Sequence, residues 1–185
     1  SRTVRRNHKK TLASGLRFEI IPQTDVPTWL PDLRKISDAW LGEKAAAEKG
    51  FSLGFFDETY LLHYDIAIIF DNETPIAFAN LWKGGTGSEL SIDLMRYPPD
   101  APRSVMEFLF VELMLWGHEQ GYDWFSLGMA PLSGVDAHRL GPAWNRVSNL
   151  VYRHGEHFYN FQGLRAYKEK FHPVWFPKYL ASPGG

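Results

Sequence analysis

The sequence of 185 residues predicts one α+β domain with a mixed central sheet flanked by helices. Three alternating segments joined by short turn-forming stretches predict an antiparallel meander of strands over residues 64–70, 75–82 and 89–95. A long apolar helix over residues 102–120 then precedes a further strand over residues 122–128. A strand, a helix and a strand in that order predict a crossover, and therefore a pair of parallel strands in the same sheet.

The elements around this sheet follow from the same patterns. Residues 1–15 predict a basic N-terminal arm or a linker helix, and residues 16–185 predict the single domain. Proline favours the first helical position, so that Pro31 predicts the start of a helix that runs to about Lys49. The other predicted elements are a strand over 16–21, an extended piece over 51–56, a helical turn over 57–62, helices over 144–154 and 161–171, and a final strand over 173–180.

The composition excludes several classes of protein. Apolar residues make up 44% of the chain and charged residues 22%, as in ordinary soluble proteins. The absence of cysteine excludes disulfides, thiolate chemistry and zinc sites that contain cysteine. No apolar run approaches the roughly 20 residues that cross a bilayer. His154 and His157 have the spacing of a metal-binding pair without a third ligand in sight, and we expect a soluble, cytoplasmic chain without a metal.

The charges are distributed unevenly. Residues 1–24 carry a net charge of +5, residues 25–123 carry −10, and residues 137–185 carry +5. Basic ends on an acidic body suggest that one face meets a polyanion, either a nucleic acid or an anionic membrane surface. The alternative is that the two ends merely neutralise the middle of the chain.

The most informative stretch is the predicted strand over residues 89–95 with Arg96 at its end. Asp93 is an acid within an alternating strand, and the strand twist could bring the Arg96 guanidinium into its neighbourhood. A carboxylate and a guanidinium held together can bind a zwitterion, whereas the alternative is a structural ion pair. Alternation predicts two opposite faces, with Leu90, Ile92 and Leu94 on one and Ser91, Asp93 and Met95 on the other.

A second informative stretch is the predicted helix over residues 161–171. Arg165 and Lys168 lie at positions i and i+3 and are expected on one face of this helix, opposite an apolar face. Two fixed cations could bind a phosphate, and a lysine near a second cation has its pKa lowered. The alternative is an ordinary solvated face.

Three stretches carry a resemblance to a known family: SIDLMR at 91–96, LGMAPL at 127–132 and FYNFQGLRAYKEKF at 158–171. Together they resemble the aminoacyl-phosphatidylglycerol synthases, also called multiple peptide resistance factors. Residues 51–54, 77–80 and 173–180 fit the same family, and the resemblance runs in order from about residue 33 to 181.

The resemblance implies an acetyltransferase-like (GNAT) fold, the second of a tandem pair that forms the cytoplasmic part of a bacterial inner-membrane protein. It implies transfer of a lysyl or alanyl group from aminoacyl-tRNA to a hydroxyl of phosphatidylglycerol. Such transfer lowers the negative charge of the membrane and gives resistance to cationic antimicrobial peptides. The implied partners are aminoacyl-tRNA, phosphatidylglycerol, and the first fold and transmembrane domain of the longer protein.

The chemistry of this implied reaction suggests roles for particular residues. We expect Asp93, Arg96 and Lys168 to be catalytic, and Tyr60 and Arg165 to position the substrate. No cofactor is expected, because the acetyl-CoA-binding turn of true acetyltransferases is missing and residues 97–102 (YPPDAP) stand in its place. Two alternatives remain: an N-acyltransferase of the same fold that uses acyl-CoA, and a non-catalytic module that binds tRNA or membrane.

Overall fold

A five-stranded mixed sheet organises the larger of two units in this chain. The structure is a computed structural model that describes residues 1–44, 55–130 and 161–177. The larger unit is Arg2–Gly128, and the smaller unit comprises Met129–Gly185 with Ser1. The predicted helix over 144–154 lies outside the described residues, and the domain boundary at residue 16 stays a prediction.

The strands of the sheet follow the order of the chain. They are β1 (Leu16–Ile21), β2 (Ile66–Asp71), β3 (Thr74–Lys83), β4 (Glu89–Arg96) and β5 (Trp124–Ser126). Neighbouring strands from β1 to β4 are antiparallel, whereas β4 and β5 are parallel. The predicted meander, the crossover and the α+β class with a mixed sheet are therefore confirmed.

Helices cover both faces of the sheet. In the larger unit they are α1 (Arg2–Ala13), α2 (Val26–Lys44), α3 (Glu58–Leu61) and α4 (Val105–Glu119), and the smaller unit contains α5 (Phe161–Glu169). Helix α4 packs with one sheet face around a cluster that includes Leu90, Leu109 and Leu113. Helices α2 and α3 pack on the other face around Leu33 and Phe78. No helix among the described residues combines the length and the apolar character that crossing a bilayer requires.

The basic N-terminal segment is a helix packed on α4. The Asn7 side chain donates a hydrogen bond to Glu107 (2.9 Å), and His8 Nε2 lies 2.6 Å from Glu112 Oε1. Thr11 is buried and donates to the Ser104 hydroxyl at 3.0 Å. Of the two forms expected for this segment, the structure has the helix.

Two of the elements predicted from the sequence differ from the structure at prolines. Pro31 lies inside α2, which begins five residues earlier at Val26, because Val26 is fully buried and extends the apolar stripe of Leu33 backwards. Pro27 fits the first turn, where its missing N–H has no intrahelical partner to lose. The final strand is absent over residues 173–177, whose prolines at both ends cannot donate to a ladder; residues 178–180 lie outside the described part.

We predict that Leu109→Ala destabilises the fold by about 2–5 kcal/mol, because it leaves a cavity between α4 and the sheet. Leu115→Ala provides the control on the same helix. Its side chain is 48% exposed, and we expect a change within about 0.5 kcal/mol. Urea titration followed by circular dichroism measures both, and equal effects would contradict this description of the core.

Candidate functional site

Strand β4 contains one residue more than the part of β3 that faces it. Ala79 pairs with Met95, and Leu81 pairs with Ile92. Only Asn80 lies between the first two on β3, whereas two residues lie between their partners on β4. This arrangement is a β-bulge, which bends the strand and changes the direction of its side chains.

Asp93 and Leu94 are the two residues of the bulge, and the side chain of Asn80 accepts hydrogen bonds from both. Asn80 Oδ1 lies 3.3 Å from the amide nitrogen of Asp93 and 2.7 Å from that of Leu94. Asn80 is itself fully buried. A side-chain oxygen therefore supplies the acceptor that the interrupted backbone ladder lacks at this point.

The bulge shifts the alternation of the strand by one residue. Leu94 packs in the cluster under α2, and Met95 packs in the cluster under α4. Strict alternation predicts the opposite for both residues, and this prediction is wrong. The consequence is that Asp93 and Arg96 lie on the same face of the sheet, since Asp93 contacts α3 and Arg96 contacts α2.

The Asp93 carboxylate is held by a tyrosine that is itself fixed at both ends. The Tyr60 hydroxyl donates to Asp93 Oδ2 (2.7 Å) and accepts from Trp82 Nε1 (3.0 Å). The backbone amide of Tyr60 donates to Asp57, which caps α3 (2.8 Å). Tyr64 stacks on Trp82 with ring centroids 6.0 Å apart. The predicted site residues Tyr60 and Asp93 are thus brought into direct contact.

Burial raises the pKa of the Tyr60 phenol well above its ordinary value, and the hydrogen bond to Asp93 adds to this rise. Tyr60 therefore stays protonated and donates its hydrogen to the carboxylate. Among the described residues, nothing donates to the other carboxylate oxygen, Asp93 Oδ1. One oxygen is thus fixed, while the other can accept a hydrogen bond from a ligand.

Arg96 is a nearly buried cation on the same sheet face. Its guanidinium carbon lies 3.9 Å from the centroid of the Trp40 ring on α2, and Nη1 donates to the Met95 carbonyl at 3.0 Å. Its exposure is only 7%. No ion pair joins Arg96 to Asp93 in the described part of the chain, so the structural ion pair considered from the sequence is not formed.

Strand β5 pairs with only the first part of β4. Strand β5 is three residues long, shorter than predicted, and its last pair with β4 is Ser91 with Ser126. Beyond Ser91, β4 has no partner in β5. The neighbouring parallel strand thus ends before the segment that carries both candidate residues.

In the smaller unit, Lys168 is a buried amine. It is 7% exposed, and its Nζ donates to the Met129 carbonyl at 2.6 Å. Burial lowers the pKa of Lys168 below its ordinary value. The sequence attributes such a shift to a neighbouring cation, and this expectation of the cause is wrong.

Arg165 is held by its own helix and by the chain that follows it. Its Nε lies 3.5 Å from Glu169 Oε1, and its guanidinium lies 5.0 Å from the Trp175 ring centroid. The Trp175 indole N–H donates to the same Glu169 oxygen at 3.0 Å. Arg165 is half-buried whereas Lys168 is buried, so the two cations do not share one solvated face.

Three further residues of the site follow from the structure. Asn80, Trp82 and Trp40 contact Asp93, Tyr60 and Arg96 respectively. Asn80 and Trp82 are two residues apart on β3 and therefore share a face. One feature of the sequence could have indicated Asn80: it is a polar residue within an otherwise apolar strand.

Comparison with known proteins identifies related chains. A family model described as "Phosphatidylglycerol lysyltransferase, C-terminal" matches residues 1–182. The chain is 45% identical over 154 residues to phosphatidylglycerol lysyltransferase of Bacillus subtilis, covering 83% of this chain and 18% of that protein. It is 37% identical over 167 residues to the Staphylococcus xylosus protein of the same name, covering 90% and 20%. The chain thus spans about a fifth of these relatives.

Two solved structures are similar throughout most of the chain. One is the C-terminal domain of a putative lysylphosphatidylglycerol synthetase from Agrobacterium fabrum, at 43% identity and a TM-score of 0.79. The other is L-PGS from Bacillus licheniformis, at 41% identity and a TM-score of 0.73. Each comparison covers 94% of this chain and 51% of the solved one.

We predict that Tyr60 remains protonated at a pH at which ordinary tyrosines, with a pKa of about 10, have ionised. The folded state then holds the phenolic proton more tightly than the unfolded state does. The resulting stabilisation is present below about pH 10 and is lost as the pH rises through the folded-state value. NMR of tyrosines labelled at Cζ, compared between the wild type and Tyr60→Phe, assigns the resonance. A Tyr60 resonance that titrates with the exposed tyrosines would contradict the hydrogen bond to Asp93.

Proposed function

Since this chain belongs to the phosphatidylglycerol lysyltransferase family and corresponds to its C-terminal part, we propose that it transfers a lysyl group from lysyl-tRNA to phosphatidylglycerol. The sequence leaves lysyl and alanyl groups open, and the names of the relatives favour lysyl. The proposed acceptor is a hydroxyl of the lipid's glycerol headgroup. The first fold and a membrane anchor of a longer protein are the proposed partners.

One observation carries this proposal: the Asp93 carboxylate has one oxygen fixed by Tyr60 and the other open to a ligand. An aminoacyl ester presents an α-ammonium close to its reactive carbonyl. A carboxylate binds an ammonium through a charge-assisted hydrogen bond. Asp93 thereby orients the aminoacyl group, or it polarises the attacking hydroxyl from the same position.

The chemistry that the site must support is a transesterification. The lipid hydroxyl attacks the ester carbonyl, a new ester bond forms to the glycerol, and the bond to the tRNA ribose breaks. The proton lost by the attacking hydroxyl is taken up by the departing ribose oxygen. The ester is already activated, so alignment of the hydroxyl and stabilisation of the oxyanion are the main requirements.

The cations supply the remaining roles. Arg96, held flat against Trp40, is the proposed ligand of a lipid or tRNA phosphate. Lys168 is the proposed ligand of the oxyanion or of a phosphate, and Arg165 positions the substrate. Each transfer replaces a negatively charged headgroup with a positively charged one at the inner membrane, which weakens the attraction of cationic antimicrobial peptides.

We predict that Asp93→Asn lowers lysyl transfer by about 10²-fold or more while the fold remains intact, because the charge that orients the ammonium is lost. The assay follows labelled lysine from lysyl-tRNA into phosphatidylglycerol vesicles, using the longer protein that contains both folds. Glu89→Gln, an exposed acid on the same strand, is the matched control and should retain activity. Wild-type transfer by the Asp93 variant would remove Asp93 from the site. Acetyl-CoA binding by the wild type would favour the acyl-CoA alternative.

We predict that Lys168→Met abolishes transfer, whereas Lys170→Met on the same segment retains most of it. Lys168 is buried and its pKa is lowered, whereas Lys170 is exposed. Circular dichroism shows whether each variant is folded, and the vesicle assay measures activity. Equal activity of the two variants would contradict a role for Lys168.

A further inference from the structure

The peptide that carries Asp93 is held by a side chain on the neighbouring strand. In an uninterrupted ladder, backbone carbonyls of β3 would accept the amides of β4. At the bulge two successive amides meet one residue, and Asn80 Oδ1 accepts both of them. Strand β5 gives no support here, because its pairing ends at Ser91.

Asn80 and Trp82 both hold Asp93, the first directly and the second through Tyr60. Asn80 binds the Asp93 backbone, and Trp82 binds Tyr60, which binds the Asp93 carboxylate. Both residues lie on β3 and point to the same face. Strand β3 therefore fixes Asp93 in two ways: directly at its backbone, and at its carboxylate through Tyr60.

Burial makes Asn80 suited to this task and unsuited to contact with a substrate. The residue has no exposed surface, and its Nδ2 has no hydrogen-bond partner among the described residues. A buried amide donor without a partner is costly, so retaining asparagine here has a stability penalty. The two hydrogen bonds that its oxygen accepts offset that penalty.

We propose that Asn80 is a positioning residue for the reaction, and that it fixes the direction of the Asp93 carboxylate by holding the β4 bulge. This inference builds on the proposed function. It adds a residue that touches neither substrate nor reacting atoms. Its effect reaches the site through two backbone amides alone.

The first test reads the position of Asp93 without any measurement of activity. Asn80→Ala removes the acceptor, so that Asp93 moves from Tyr60 and the pKa of the Tyr60 phenol falls towards that of an ordinary tyrosine. Asn80→Asp keeps an oxygen in the same place, and the pKa of Tyr60 stays raised. NMR of Cζ-labelled tyrosines follows both titrations. Ile68→Val, a truncation in the same buried layer, should leave the Tyr60 titration unchanged.

The second test is the vesicle assay with the longer protein. We expect Asn80→Ala to lower kcat by about 10²-fold with little change in KM for lysyl-tRNA, since a displaced carboxylate still binds but no longer aligns. A Tyr60 titration unchanged in folded Asn80→Ala would overturn the proposal. If alanine prevents folding, Asn80→Ser, whose hydroxyl is too short to reach both amides, takes its place. If the Tyr60 titration shifts in Asn80→Ala but the wild-type longer protein shows no lysyl transfer, the positioning role is sustained and the proposed function is overturned.

Discussion

The extra residue in β4 is the constraint on which the arrangement of the site depends. If the same residues paired regularly, without a bulge, strict alternation would turn Arg96 towards α4 and separate it from Asp93. With it, both residues face the layer formed by α2 and α3, where aromatic rings receive them. A backbone irregularity at one position thus selects which side chains meet. The partner strand stabilises that irregularity through Asn80, whose oxygen satisfies two amides at once.

The candidate residues combine charge with burial, which is costly unless each charge has partners. Arg96 lies against Trp40, where its flat guanidinium gains cation–π attraction in place of water. In the smaller unit, Lys168 donates to the Met129 carbonyl, and burial favours its neutral form. Among the described residues, nothing donates to Asp93 Oδ1. Charged groups held in buried positions are common at functional sites.

The sequence predicts the fold well where long-range periodicity decides it. The meander and the parallel crossover follow from strand alternation and from the apolar circumference of α4, and both are confirmed. The sequence predicts the structure less well where a single residue changes the start of a helix or the alternation of a strand. Val26 extends α2 past Pro31 because tertiary burial outweighs the preference of proline for a helix start. The faces of Leu94 and Met95 are inverted for the same kind of reason, since a bulge depends on the partner strand, which local pattern does not contain.

Because of the bulge, the number of residues in β4 matters as well as their identity. A substitution in this strand changes the chemistry of one position, whereas a one-residue deletion between Ile92 and Met95 would leave a single residue opposite Asn80 and would remove the bulge. Met95 would still pair with Ala79 and Arg96 would keep its face, but either Asp93 or Leu94 would be lost, and Asn80 Oδ1 would have one amide to accept instead of two. The number of residues in β4 is therefore a constraint separate from their identity, and a gap placed there in an alignment of this family would imply a different arrangement around Asp93.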